Sequence, residues 1–355
     1  MNPYAVDKII FHPKYVQALA IHCSHEMYPI VVHLMPQNAC NHNCQFCSYR
    51  MEGWKNSEYF DKKSHIPWGV MQNLLHECHT IGVKALEITG GGEPLAYPHI
   101  NKLLEELSML PIDTALVTNG TLLKEFTTEL LFTTSLQWVR ISIDAGNKDM
   151  YTKIRRCHES HWDLVWENLK QLIARRTHHI IGVGYVVTDM NHNGILELCK
   201  RAKDAGVNSV RISVAFTSKG ADILDDAQQL EVRKQLDEAH KLEDGNYHIA
   251  DLYQERLNNL RDSAKQQDYD YCGTKDILCV VEGEGNVYTC CTLTGMKQGL
   301  IGNIKETSFG LLWKQKACWR KNFNPRKMCK CMCLYEKRNQ MMLELRCPPD
   351  HLNFI

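Results

Sequence analysis

The sequence predicts an α/β protein: a partial (β/α)6 TIM-like barrel followed by a small, cysteine-rich domain made of a β-hairpin and a helix. Three observations carry this reading. Six short apolar runs rich in β-branched residues recur between residues 30 and 214, and amphipathic segments of helical period lie between them. Six such units are fewer than the eight of a complete barrel. From Cys272 onward the composition changes, with nine of the sixteen cysteines in the last 84 residues.

Residues 1–29 precede the first strand signal and form an N-terminal extension. Strands are expected at 30–35, 84–89, 113–118, 137–143, 180–187 and 208–214, and helices at 68–81, 98–110, 121–131, 161–176 and 193–205. Sequential parallel strands joined by right-handed helical crossovers curl toward a barrel, which assigns residues 30–225 to it. Residues 226–268 lose the strand pattern and read as a bridge of polar amphipathic helices, Gln228 to Leu242 and Asp251 to Lys265. The last domain, 269–355, opens on a hairpin: Ile277 to Val281, the turn Glu282-Gly283-Glu284-Gly285-Asn286, and Val287 to Cys290.

Of the 355 residues 44% are apolar, and Lys plus Arg balances Asp plus Glu at 41 each, so overall charge points to no partner. No basic and apolar signal pattern opens the chain, and no apolar run approaches membrane-spanning length. Sixteen cysteines without such a signal place the chain in a reducing, cytoplasmic compartment. Cys23, Cys78, Cys157 and Cys199 stand apart in sequence and read as buried small apolar side chains.

Cys40, Cys44 and Cys47 are packed into eight residues, Cys-Asn-His-Asn-Cys-Gln-Phe-Cys, directly after the first strand. Three thiolates hold three corners of a metal cluster and leave one coordination position open. Such close spacing favours Fe–S or Zn over hard cations, and the C-terminal end of a strand is where α/β barrels keep their active sites. A structural zinc site, with His42 or His33 as fourth ligand, is the alternative. After the second strand comes Thr89-Gly90-Gly91-Gly92-Glu93-Pro94. Gly91 and Gly92 let backbone approach a ligand, and Glu93 offers a carboxylate to an ammonium.

The cysteine spacing, with Phe46 before the last cysteine, resembles the signature of the radical S-adenosylmethionine (SAM) superfamily, and Gly-Gly-Glu-Pro resembles that family's grip on the amino end of SAM. The resemblance implies a 4Fe–4S cluster on Cys40, Cys44 and Cys47, bound SAM, and a six-unit partial barrel. It implies that one electron cleaves SAM to methionine and a 5'-deoxyadenosyl radical, which takes hydrogen from a C–H bond, and that flavodoxin or ferredoxin supplies the electron. Val117-Thr118-Asn119-Gly120 resembles the family's fourth-motif turn. Ile141-Ser142-Ile143-Asp144-Ala145-Gly146 resembles its Ser-x-Asp-Gly strand end with Ala145 inserted. Asn119, Ser142 and Asp144 therefore join Phe46, Gly91, Gly92 and Glu93 as candidate SAM or substrate contacts; capping of the following helices is the plain alternative. Ile154-Arg155-Arg156 resembles an Arg-Gly pair with Arg156 in the glycine's place, so Arg155 alone is carried over, to a carboxylate. Val186 to Asn191 resembles the adenosine-contacting strand, or is a turn signal.

Cys272, Gly285 and Cys290 resemble the opening of SPASM and twitch auxiliary-cluster domains, and Gly302-Asn303-Ile304 with Leu311-Leu312-Trp313 extends the likeness. The one-residue gaps of Cys329, Cys331 and Cys333 depart from the full SPASM pattern. They imply one auxiliary Fe–S cluster, on Cys272, Cys290 and two of that triplet. Zinc is the alternative for the tail, and Cys279, Cys291, Cys318 and Cys347 are further ligands or structural thiols.

The resemblance offers a peptide substrate, although 29 residues before the first strand are too few for a leader-binding domain. Composition offers nucleic acid: between Lys314 and Arg338 stand nine Lys or Arg and one acid, interleaved with Trp313, Trp319, Phe323 and Tyr335. A solvated basic face or a dock for an acidic electron donor are the alternatives. The whole is similar in style to phage-encoded radical SAM proteins associated with hypermodified DNA, which implies an amino-acid-like group on a nucleobase as the substrate, ahead of a peptide side chain. A Zn or Fe–S binding module without turnover is the remaining class.

Overall fold

The computed structural model describes residues 6–50, 60–215, 224–261, 267, 269–329 and 333–347. Helix α1 (Pro13–Ala20) opens on a proline whose missing N–H costs nothing in a first turn. Strand β1 (Val31–Leu34), α2 (Trp68–Ile81), β2 (Ala85–Ile88), α3 (Ile100–Ser108), β3 (Asp113–Thr118), α4 (Glu125–Thr133) and β4 (Leu136–Ser142) follow. Next come α5 (Lys148–Arg155), α6 (Ser160–Arg175), β5 (Ile180–Val187), α7 (Ile195–Ala205), β6 (Ser209–Val214), α8 (Asp226–His240), β7 (His248–Asp251) and α9 (Tyr253–Arg261). The tail contributes α10 (Thr274–Ile277), β8 (Leu278–Val281), β9 (Asn286–Tyr288), β10 (Leu300–Asn303), α11 (Phe309–Gln315), α12 (Ala317–Lys321), α13 (Pro325–Met328) and α14 (Glu336–Arg346).

Strands β1 to β7 lie in sequence order, each parallel to the next, and the sheet stays open between β7 and the tail. The six expected strands are present. The bridge, however, contains β7, a seventh parallel strand beside β6, where only helices were expected. Helix α5 was also not expected, and neither was β10. The larger difference is at the other edge. Strand β8 pairs parallel with β1, from Val31 opposite Leu278 to Leu34 opposite Val281, and β9 and β10 continue antiparallel. The tail hairpin thus extends the barrel's own sheet, and β1, which carries the cysteine loop, becomes an interior strand.

Alternation along the strands separates two faces. Val32, Leu34, Leu86, Ile88, Val139, Ile141, Ile181 and Val183 are buried against the helices in one continuous core. The opposite face carries the half-buried Val31, His33, Ala85, Glu87, Trp138, Arg140, Ser142, Val186 and Arg211, and lines a lumen. Each apolar side chain fully buried on the first face is worth about 1.5–3 kcal/mol, so a one-residue slip of register would cost several of these at once.

A buried charge cluster ties the N-terminal extension to the tail. Asp276 accepts a hydrogen bond from Ser24 Oγ at 2.9 Å and pairs with Lys275 Nζ at 2.9 Å and Arg320 Nε at 3.5 Å. Arg320 also donates to the carbonyls of Trp313 and His25, both at 2.6 Å, and its guanidinium lies 3.9 Å from the Trp313 ring centroid. The basic segment is therefore partly buried, and not all of it is the surface its composition suggested. Arg320 is 0% exposed and Trp313 1%, because they fill the space between the tail and the extension, whereas Phe323, at 4%, packs inside the tail with Leu293 and Met296. Lys330 lies outside the described residues. Lys314, Lys316, Lys321, Arg326 and Lys327 are exposed, and Lys337 pairs with Glu255 at 2.6 Å. Among the described residues no helix is long and apolar enough to cross a membrane.

Candidate active site

The loop after β1 carries Cys40, Cys44 and Cys47 and is braced from three sides. The Asn43 and Gln45 amides donate to the carbonyls of Arg155 and Ile154, at 3.2 and 3.0 Å, so the loop rests on the C-terminal end of α5. The glycine turn touches its start: Glu93 N donates to Ala39 O at 2.8 Å, and a Cβ on Gly92 would sit 2.0 Å from that carbonyl oxygen. A Cβ on Gly91 would sit 2.3 Å from the Phe60 ring. Close approach of backbone requires glycine at Gly92, while a side chain at Gly91 would have to displace the Phe60 ring. The third brace is Asn38, whose side chain donates to Glu282 Oε2 at 3.0 Å and accepts from Gly283 N at 3.2 Å, joining the loop to the turn of the tail hairpin.

Glu93 has a structural task besides the contact expected of it. Its buried carboxylate accepts from Leu95 N at 3.1 Å, Thr118 Oγ1 at 2.5 Å and Asn119 N at 2.8 Å, and so splices the glycine turn to the end of β3. Burial pushes its pKa up while these hydrogen bonds pull against it. Asn119 is likewise engaged: it donates to Asn41 Oδ1 at 2.7 Å and accepts from Thr121 N and Oγ1 at 3.0 and 2.7 Å. These bonds close a local turn, not a cap of α4, whose N-cap is Lys124, and the turn is tied to the cysteine loop through Asn41.

Asp144 stands in the left-handed region at φ +62°, with Oδ1 accepting from Val186 N at 2.7 Å and Oδ2 3.3 Å from Arg155 Nη1. Arg155 donates to Cys44 Sγ at 3.2 Å and, through Nη2, to the carbonyl of Ser142. The carboxylate that Arg155 meets is thus Asp144 of its own chain. Burial opposes the Arg155 charge, but Cys44 and Asp144 beside it raise its pKa. Arg156, the residue in the glycine's place, ends α5 at φ +46°, a conformation that explains a glycine there. Phe46 is half-buried on the loop, and Ser142 lies half-buried on the lumen face.

The donor set suits an iron–sulfur cluster. Burial pushes the Cys47 thiol up to about 11 and raises Cys40 as well; bound metal supplies the positive charge that such thiolates lack. A single zinc ion holds its thiolates at about 2.3 Å and hence close together. Among the described residues the only three metal-ligating side chains with ligand atoms within 4.8 Å of one another are His42, Cys157 and His161. Sequence reasoning missed this trio. His42, read as a possible zinc ligand, is buried with Nε2 2.9 Å from His161 Nδ1, and burial followed by Arg155 lowers its pKa to about 3. Nothing in the sequence pairs positions 119 residues apart.

In the tail, Cys272, Cys290, Cys329 and Cys333 line one cavity with Tyr269 and Phe323. Burial pushes Cys272 up to about 12. Cys331 lies outside the described residues. Asn339 bridges the site, its Oδ1 3.5 Å from Cys272 Sγ and its Nδ2 3.6 Å from Cys333 Sγ. Cys291 Sγ lies 3.3 Å from Tyr335 OH; Cys279 is buried in the core, and Cys318 and Cys347 are exposed.

The radical SAM superfamily model matches residues 34–200, and the model of the SPASM iron–sulfur cluster-binding domain matches residues 272–334. A GTP 3',8-cyclase of Trichodesmium erythraeum is 30% identical over 37% of this chain and 40% of its own length. An AdoMet-dependent heme synthase of Methanosarcina barkeri is 23% identical over 84% of this chain and 86% of its own. The chain thus spans less than half of the first of these and most of the second. The crystal structure of Streptococcus suis SuiB bound to S-adenosylmethionine shares the fold at a TM-score of 0.64 and 16% identity, covering 94% of this chain and 80% of that one.

Proposed function

We propose that this chain, which belongs to the radical SAM superfamily and carries a SPASM iron–sulfur domain, abstracts hydrogen from a C–H bond of an amino-acid-like group attached to a nucleobase in DNA. In this reading residues 30–225 hold the SAM cluster on Cys40, Cys44 and Cys47. Residues 269–355 hold an auxiliary cluster on Cys272, Cys290 and two of Cys329, Cys331 and Cys333. When bound, a three-thiolate 4Fe–4S cluster offers one open iron to SAM and the electron that splits it into methionine and a 5'-deoxyadenosyl radical.

The chain's own part is placement. Glu93 and Asn119 lock the ends of β2 and β3 to the cysteine loop, so that thiols, glycine turn and lumen keep one geometry. Arg155 sets a fixed positive charge beside Cys44 and satisfies Asp144, which in turn holds the Val186 amide. The observation that carries the reading is the triply braced cysteine loop at the C-terminal end of β1. Anaerobically reconstituted protein with dithionite should convert SAM to 5'-deoxyadenosine and methionine. Undiminished product from a Cys40→Ala, Cys44→Ala, Cys47→Ala variant would sink the proposal.

The exposed cations Lys316, Lys321, Arg326 and Lys327 support the DNA reading. With Trp313 and Phe323 in the core, this segment suits phosphate contacts rather than stacking on single-stranded bases. Duplex binding should weaken with salt, and replacing those four residues by Gln should flatten the log–log slope by about 0.9 for each phosphate that is no longer neutralised. Absence of duplex binding at low salt turns the assignment to a peptide substrate. That second reading is supported by the fold shared with SuiB, of which one structure holds its precursor peptide SuiA. Both place the protein with a flavodoxin- or ferredoxin-type reductant in a reducing cytoplasm.

A further inference from the structure

The lumen face of the sheet is charged asymmetrically. Arg140 on β4 and Arg211 on β6 flank β5, which presents only glycine between them: Arg140 stands opposite Gly182, and Arg211 opposite Gly184. A Cβ on Gly184 would lie 3.6 Å from Arg140 Cδ, so the arginine's stem runs across a floor without side chains. Its guanidinium lies over the Trp138 ring, 5.4 Å from the centroid. Arg256 comes from α9, which packs on β6. Burial lowers its pKa, Cys291 and Tyr335 oppose the lowering, and the charge of Arg140 adds to it. No carboxylate among the described residues forms an ion pair with Arg140 or Arg256. Across the sheet, on the same face, Glu87 of β2 pairs with His33 of β1 at 3.6 Å.

The carboxylates whose charge reaches them, Asp144 for Arg140 and Glu255 for Arg256, are already paired with Arg155 and Lys337, and guanidinium groups inside a half-buried lumen with no ion pair of their own are costly unless an anion joins them. Arginine forks match the two oxygens of a carboxylate or phosphate. We propose that Arg140, Arg211 and Arg256 form the binding site for an oxyanion group of the substrate, with Glu87 placed to meet an ammonium on the same molecule. A carboxylate with a nearby ammonium is the signature of an amino-acid-like group; a phosphate is the other source of the same oxyanion. The inference rests on the radical SAM reading of the barrel and specifies what its lumen selects.

The test is thermal stabilisation of the reconstituted protein by L-glutamate and, separately, by inorganic phosphate, with sodium chloride at equal ionic strength as control. Stabilisation by glutamate above phosphate is expected, with affinity reduced tenfold or more in Arg140→Gln and in Arg256→Gln. Arg140→Lys and Arg256→Lys keep the charge but lose the fork, so an intermediate loss is expected from well-folded protein. Glu87→Gln should weaken glutamate and leave phosphate unchanged. Stronger binding of phosphate, reduced in the same arginine variants, keeps the oxyanion site but overturns the amino-acid assignment. No stabilisation by either probe, or stabilisation equal in all variants, overturns the site. SAM cleavage by the unaltered protein reports separately on the radical chemistry.

Discussion

Replacing Asp276 by Asn leaves two cations, Lys275 and Arg320, buried at 2% and 0% exposure with no anion between them. Asn preserves the shape and a carbonyl acceptor for Ser24, so the loss is one of charge. Removing one partner of a buried pair costs about 3–5 kcal/mol, a large share of the roughly 5–15 kcal/mol that holds a domain folded. Lys275→Met alone keeps the Asp276–Arg320 pair but forfeits the 2.9 Å bond of Lys275 to Asp276 together with its contact with the Tyr271 ring, 4.7 Å away, a loss of about 2–3 kcal/mol that stays below that of Asp276→Asn because Asp276 keeps Arg320. Adding Lys275→Met to Asp276→Asn removes one of the stranded cations, so the double variant should be more stable than Asp276→Asn by about 1 kcal/mol or more. Urea unfolding followed by circular dichroism, with m values compared, measures all three. A loss under about 1 kcal/mol for Asp276→Asn, or strict additivity in the double variant, would refute the view that this cluster is a charge-balanced rivet.

Gly92→Ala should push the Ala39 carbonyl off its place, because the new Cβ meets backbone at 2.0 Å; iron content should fall by about four atoms per chain while the tail retains its own. Arg156→Gly should stabilise the protein by about 0.5–1 kcal/mol in chemical denaturation, since an L-residue at φ +46° gives way to one at ease there. Burial would raise Glu243, but hydrogen bonds from His240 and from the Ile249 amide at 2.8 Å hold it below the usual carboxylate range. Its contribution to anchoring β7 is therefore complete above about pH 4.3 and is lost as pH falls through the lower folded value. Amide exchange at Ile249 should accelerate on that descent, and Glu243→Gln should remove the dependence.

The six strands were legible because each is a β-branched run between helical periods, and the cysteine loop because its ligands are neighbours in sequence. Strand β7 was not, since four residues, His248–Asp251, with polar ends show no alternation long enough to separate from a loop. Helix α5 is eight residues with a polar composition, and its weight lies in the carbonyls it offers the cysteine loop, which no side-chain pattern reveals. The bonds of the Glu93 carboxylate within the chain were not legible, because its partners Thr118 and Asn119 lie 25 and 26 residues away. Composition also misjudged the basic segment. Charge in a sequence does not encode burial, and Arg320 is buried because Asp276, 44 positions earlier, waits for it.

The parallel pairing of β1 with β8 has a consequence for how the chain is made. Strand β1 ends at Leu34 and its partner at Val281, so synthesis at about 5–20 residues per second leaves one side of β1 without a neighbour for roughly 10–50 s. During that interval an apolar strand edge is open to other nascent chains, the usual start of edge-to-edge aggregation. The cysteine loop meanwhile lacks its tether to Glu282 and Gly283. Contacts this distant in sequence also slow the final closure. Slow production of residues 35–281 should therefore lower soluble yield more than equally slow production of the residues after 281.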